Sequence, residues 1–195
     1  WSYAVRGLKL FERVSKENNA KAMELFKRAV ELDPNYVWAW VRLAWTYRVA
    51  SRWSQSPSEN FRKIIEISKK VSVLDDSDSD VHALLGLVYR WQGQYEQAIA
   101  KYLDAERIDS NYAELQFRLA RCYWNTGDFQ KAKEKYTFAR DYDALRFRAD
   151  SRINEIIHSV AGHRRVNKLF FVDSIKAIDE SSPHHIPGEE VFYEH

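Results

Sequence analysis

Through residues 79–142 the apolar positions recur at helical spacing, and one stretch repeats the other at an offset of 34 residues. Leu85, Gly86, Tyr89, Gly93, Tyr95, Ala98, Tyr102 and Ala105 correspond to Leu119, Ala120, Tyr123, Gly127, Phe129, Ala132, Tyr136 and Ala139. Apolar residues three and four apart predict amphipathic helices, two in each copy. Gly93 and Gly127 stand where the first helix of each pair should end, as left-handed caps do. Gly86 and Ala98 mark points where two antiparallel helices approach too closely for a large side chain. A fixed period of this length predicts one helix pair used repeatedly, so the fold is an all-α stack rather than a single wrapped core. Such stacks usually present surfaces and seldom carry out chemistry.

The pattern can be followed towards the start of the chain. Ala22, Phe26, Ala29 and Pro34 form the second helix of a first pair. The Asp33–Tyr36 turn then leads into Trp40, Leu43, Ala44 and Tyr47. From Ala44 to Gly86 is 42 residues, so the second unit is stretched. Ser, Gln and Pro57 place its extra length in a loop at 51–58. Its second helix is predicted over about 58–74, with Ile64, Ser68 and Val71 at packing positions. The first unit has a lengthened turn around 15–19.

These residues resemble the tetratricopeptide repeat, a helix–turn–helix unit with small and aromatic residues at fixed places. The resemblance covers roughly residues 3–144, in units of about 3–36, 37–78, 79–112 and 113–144, and is strongest from 79 to 142. Asp76 stands where the family usually has proline. The first three units look most like the repeats appended to bacterial adenylate-cyclase-type regulators. The family implies a right-handed α-solenoid of antiparallel helix pairs.

Beyond the repeats, Leu145, Ala149, Ile153, Ile156, Ile157 and Val160 lie on one helical stripe, ended by Gly162. A capping helix over 145–162 is the expectation, because a solenoid exposes an apolar face at its end. Residues 163–195 then read as a short strand at Lys168–Asp173, a short helix at about 174–180 and an irregular tail. Arg146–Ile157 and Ser182–His195 together resemble the C-terminal part of bacterial proteins in which such repeats are embedded in an SGNH-type hydrolase domain. That resemblance would make the histidine-rich end a source of the catalytic base. No Gly-Asp-Ser nucleophile motif occurs in the chain. An acyl-transfer site needs nucleophile, base and oxyanion donors together, so the chain is read as non-enzymatic.

Composition narrows the partners. With 30 basic and 28 acidic residues the net charge is +2, which gives no footprint for nucleic acid or an anionic membrane. No apolar run approaches the ~20 residues of a membrane helix. The lone cysteine, Cys122, cannot form an intramolecular disulfide and leaves the compartment open. The chain opens on Trp1 in mid-pattern without a signal-like segment, as a fragment or processed product would.

In the family the first helix of each unit lines a concave groove. The resemblance therefore implies a partner-binding face of Trp38, Val41, Trp45, Arg48 and Val49 in the second unit. The third gives Asp80, Ala83, Leu87, Arg90 and Trp91, and the fourth Glu114, Phe117, Arg121, Trp124 and Asn125. Aromatic faces supply contact area and guanidinium groups take carboxylates, which suits a peptide or protein partner. The same tryptophans could instead pack on neighbouring helices or on the chain's own tail. Polysaccharide stacking on them is a less favoured alternative.

Two other clusters bear on cofactors. Asp75, Asp76, Asp78 and Asp80 with intervening serines could supply oxygen ligands to Ca²⁺, but the run lacks the glycine and distal glutamate of an EF-hand loop. Capping of the next helix by Asp or Ser is the favoured reading. His184, His185 and His195, with His158 and His163 nearby in sequence, match no closed metal site and read as a solvated tail. Cys122 is expected to be a small buried hydrophobe. A repeat stack with imperfect ends can also dock head to tail, so homo-oligomers or filaments are a second expectation for function.

Overall fold

Local chemistry sets where each helix starts and stops in the computed structural model, which describes residues 2–13, 15–110, 112–143, 150–163 and 171–187. The helices are α1 (Ser2–Phe11), α2 (Lys16–Leu32), α3 (Val37–Ala50), α4 (Pro57–Leu74) and α5 (Ser79–Trp91). They continue as α6 (Tyr95–Ile108), α7 (Ala113–Thr126), α8 (Phe129–Asp141), α9 (Ser151–His163) and α10 (Ser174–Ser181). A 3₁₀ turn at Pro183–His185 follows, and no strand occurs among the described residues. The fold is all-α, as expected.

Side chains cap the starts of α2, α5 and α8, and Asp150 and Asp173 do the same for α9 and α10. Ser15 accepts from the Asn18 amide at 3.1 Å, Asp78 from Asp80 at 2.7 Å and Asp128 from Lys131 at 3.2 Å. Each satisfies one of the amides that a helix leaves unpaired at its first turn. Pro57 opens α4, where its missing N–H costs nothing. Gly127 ends α7 at φ 82°, and Gly93 follows α5 at φ 74°, both in the left-handed region predicted for them.

The chain divides into two compact units, residues 1–110 and 111–195. In the first, α1 pairs with α2, α3 with α4 and α5 with α6. Helix α2 also packs on α3, and α4 on α5, so the pairs stack in chain order. Phe26, Ile64, Val71, Leu84, Leu87 and Tyr102 are fully buried in this stack. A Cβ on Gly86 would lie 2.6 Å from the Tyr102 ring, the close approach that the spacing implied. Gly7 meets Phe26 in the same way, at 3.0 Å. It is the first unit's counterpart of Gly86, hidden in the sequence because the α1–α2 turn shifts the register by three residues.

The loop of the stretched unit covers 51–56. Ile64 and Val71 on α4 are completely buried and Ser68 nearly so. Helix α2 already starts at Lys16, earlier than the expected turn at 15–19, because Ser15 caps it. Asn19 consequently sits inside α2, where its buried amide donates to the Thr46 carbonyl at 3.0 Å.

In the second unit α7 packs on α8 around Leu115, Leu119, Ala120 and Ala132, and Cys122 is buried with them. Helix α9 begins at Ser151, and Gly162 lies within it rather than ending it. Leu145 and Ala149 fall outside the described residues. The Ser151 amide donates to Asp141 and Arg140 donates to the Ser151 hydroxyl, which ties the start of α9 to the end of α8. Its stripe of Ile153, Ile156, Ile157 and Val160 is nonetheless 41–54% exposed. Of the strand-like run, 168–170 lie outside the described residues and Phe171–Asp173 are irregular. Helix α10 approaches α8 through Lys133, whose ammonium pairs with Asp179.

Candidate functional site

Helix α7 is buried on one side and open on the other. Leu115, Gln116, Arg118, Leu119, Ala120, Cys122 and Tyr123 face inwards. Phe117 and Trp124 remain 43% and 36% exposed, with Arg121 exposed between them. Positions 117, 121 and 124 are four and three residues apart, so the three side chains share one face. Phe117 stands edge-on to Tyr136 of α8 at 5.7 Å, which fixes its ring without covering it. Burial pushes the Tyr136 phenol up, and the nearby Arg121 guanidinium pulls partly against it. At the end of the face Trp124 meets Phe129 edge-on at 5.1 Å, across the Gly127 turn. This arrangement offers two aromatic surfaces with a cation between them, suited to an apolar segment that carries a carboxylate.

The equivalent residues of the first unit are packed. Val41 is buried, and Trp45 is only 6% exposed with the Arg48 guanidinium 5.6 Å from its ring. Trp38 packs edge-on to Phe26 at 6.0 Å, under the guanidinium of Arg42 at 5.1 Å. On α5, Ala83 and Leu87 are buried, and Trp91 lies against Phe61 of α4 at 4.3 Å. Arg90 beside it is partly buried. Trp38 and Trp91 thus each bridge two helices while remaining half-buried, and Trp45 is buried beside Arg48 of its own helix.

The four aspartates do separate tasks. Asp75 accepts from the amide and hydroxyl of Ser77, which hold its carboxyl below the usual value. Asp78 caps α5, and Asp80 pairs with Arg42 of α3 at 2.7 Å. Asp76 lines an open depression of about 490 Å³ with His82, Lys101, Asp104, Arg107 and Ile108. Burial pushes the Asp104 carboxyl up there, but hydrogen bonds from Lys101 and Arg107 together outweigh it and hold it low. The cations of the depression are thus taken up by its own carboxylate. No group of three or more His, Cys, Asp or Glu side chains is arranged to hold a metal ion among the described residues. His195 falls outside them. His184 is in the tail, against Trp124 and Phe129, a contact that no periodicity in the sequence signals.

Comparison with known proteins agrees with the stacked pairs. The model described as "TPR repeat" matches residues 86–127, and two described as tetratricopeptide repeat match 25–58 and 13–36. No curated protein matches the sequence. A thermophilic TPR protein of Thermus thermophilus, TTC0263, is 20% identical over 72% of this chain and 72% of its own, with a TM-score of 0.56. YrrB, described as a TPR protein with an unusual peptide-binding site, is 19% identical over 72% of this chain and 67% of its own, TM-score 0.52. A MamA structure is 19% identical over 87% of this chain and 96% of its own, TM-score 0.51. At these identities the likeness is one of fold. The matched family models cover repeats alone and lend no support to the likeness with SGNH-type hydrolases or adenylate-cyclase-type regulators. No described helix is long and apolar enough to cross a membrane. From the matched segments and the stacked helix pairs together, the chain carries tetratricopeptide repeats.

Proposed function

We propose that the chain is a non-enzymatic interaction scaffold that receives a peptide or protein segment along the open face of α7. The observation that carries this is the row of Phe117, Arg121 and Trp124, left exposed on a helix whose other side is core. Large aromatics and arginine at the centre of a contact are the residue types that dominate binding energy. A peptide-binding site on the fold relative YrrB supports the class of function. The test is retention of peptides from a library on the wild type, Phe117→Ala and Arg121→Ala. Loss of most retained peptides in both variants is expected, and equal retention removes this face from consideration.

A second reading, self-assembly, is favoured by the stripe of Ile153, Ile156, Ile157 and Val160 on α9. A contiguous exposed apolar stripe of this kind marks a contact surface. Sedimentation velocity should then show a mass that rises with concentration in the wild type and not in Ile156→Glu. A monomer at every concentration discards this reading and leaves the first untouched.

A further inference from the structure

The ring of His184 lies flat on Phe129, with centroids 3.5 Å apart and planes 8° apart. It also stands edge-on to Trp124 at 5.6 Å and 80°. Trp124 and Phe129 flank the Gly127 turn, so they form an aromatic corner at the end of the open α7 face. The backbone that delivers the imidazole is unusual. His184 and His185 have φ of 55° and 56°, the positive values that L-residues other than glycine rarely adopt. Such a conformation persists where the surroundings over-determine it.

The surroundings are specific. Ser182 is buried and its hydroxyl donates to the Ile178 carbonyl at 2.8 Å. His185 Nδ1 lies 3.2 Å from the Asp179 carbonyl. Asp179 is itself held by the ammonium of Lys133 on α8. Pro183 fixes its own φ, which removes one freedom from the turn. The segment is pinned on both sides of the ring that it inserts.

We infer that the corner of Trp124 and Phe129 is a receptor for a planar ring on a peptide partner, and that His184 is its tethered occupant. Tail and partner then compete for one place, and the scaffold is partly self-blocked. This rests on the reading of α7 as the partner face and adds the chemistry of what enters it. Trp124 and Phe117 are seven residues apart on the helix, about 10 Å along its axis. An extended chain covers that distance in about three residues. The partner segment therefore presents an aromatic or imidazole ring about three residues from an apolar side chain, with a carboxylate between them for Arg121.

A tethered occupant competes at an effective concentration on the order of millimolar, so removing it should raise the affinity for the same group supplied from outside. The probe is a fluorescein-labelled peptide of residues 181–187, Ser-Ser-Pro-His-His-Ile-Pro, followed by fluorescence anisotropy on full-length chains. His184→Ala should bind it at least about tenfold more tightly than the wild type. His184→Phe, which keeps a ring in the corner, should stay at the wild-type level, and adding Trp124→Ala to His184→Ala should abolish the gain. Equal binding by the wild type and His184→Ala overturns the inference, as does a gain that survives loss of Trp124.

The seat itself is read from the His184 ring proton in NMR spectra. An upfield shift that Phe129→Ala removes is expected; its absence refutes the stacked occupant while leaving the Phe117 and Arg121 test of the α7 face intact. A wild-type dimer that His184→Ala dissolves would place a second copy's tail in the corner and overturn self-blocking.

Discussion

Helices α3 and α5 on one side and α7 on the other occupy the same place in the repeat, yet their outward positions meet opposite fates. Trp45 and Leu87 are buried, whereas Phe117 and Trp124 are exposed. The difference is one of neighbours. In the first unit α3 touches both α1 and α5, and α4 packs on α5, so outward-facing rings find partners such as Phe26 and Phe61. Helix α7 is followed by α8 and by a tail whose described residues meet it at Trp124. A repeat position therefore specifies a direction, and the next element decides whether that direction is core or surface. In the first unit Trp38 and Trp91 meet rings of neighbouring helices and Trp45 is buried, whereas Trp124 of α7 stays 36% exposed.

The comparison is broken most decisively by truncating one tryptophan from each region. Trp45→Ala should cost about 3–5 kcal/mol, the range for emptying a buried aromatic site. Trp124→Ala should cost about 1 kcal/mol, the worth of its edge-on ring contacts. Urea unfolding followed by far-ultraviolet circular dichroism measures both. Where the curve shows more than one transition, each is fitted on its own. Similar losses for the two variants would remove the distinction between the buried and the exposed tryptophan.

What was legible beforehand follows the same division. The period exposed Gly86, Ala98, Tyr102 and their counterparts because helix-pair contact is set by residues inside one unit. Gly93 and Gly127 were legible because a left-handed cap is a local requirement. The face of α3 was not, since the seating of Trp38 depends on Phe26, a ring on a helix of the preceding repeat. Gly7 escaped because the register of the first pair is shifted by its own turn. Packing of a tryptophan on the chain's own tail was among the alternatives, but the particular ring, His184, escaped for a different reason. A single ring held by a strained turn has no periodicity, and a histidine pair in a polar tail carries no signal of where it docks. The capping expectation relied on the apolar stripe of α9, but a stripe states only that a face is sticky. It does not say what covers it.

A smaller effect sharpens the contrast between the α5–α6 and α7–α8 pairs. Asp104 of α6 lies 3.8 Å from His82 Nδ1 of α5, with Lys101 and Arg107 beside it. One repeat later these two positions are Phe138 and Gln116, so the second pair lacks this charged cluster. The Asp104 carboxyl is held below its ordinary value of 3.8 in the folded chain. A carboxyl of this kind contributes stability that is complete above the ordinary value and lost as pH falls through the lower, folded one. Asp104→Asn should therefore be less stable at neutral pH and show a flatter decline in acid, between about pH 5 and pH 2. Arg107 is 78% exposed, so solvent screening keeps the contribution below about 1 kcal/mol. Urea midpoints of the wild type and the variant across that range supply the measurement. Parallel declines would show that the carboxyl is not held, and the contrast between the pairs would then rest on the open face of α7 alone.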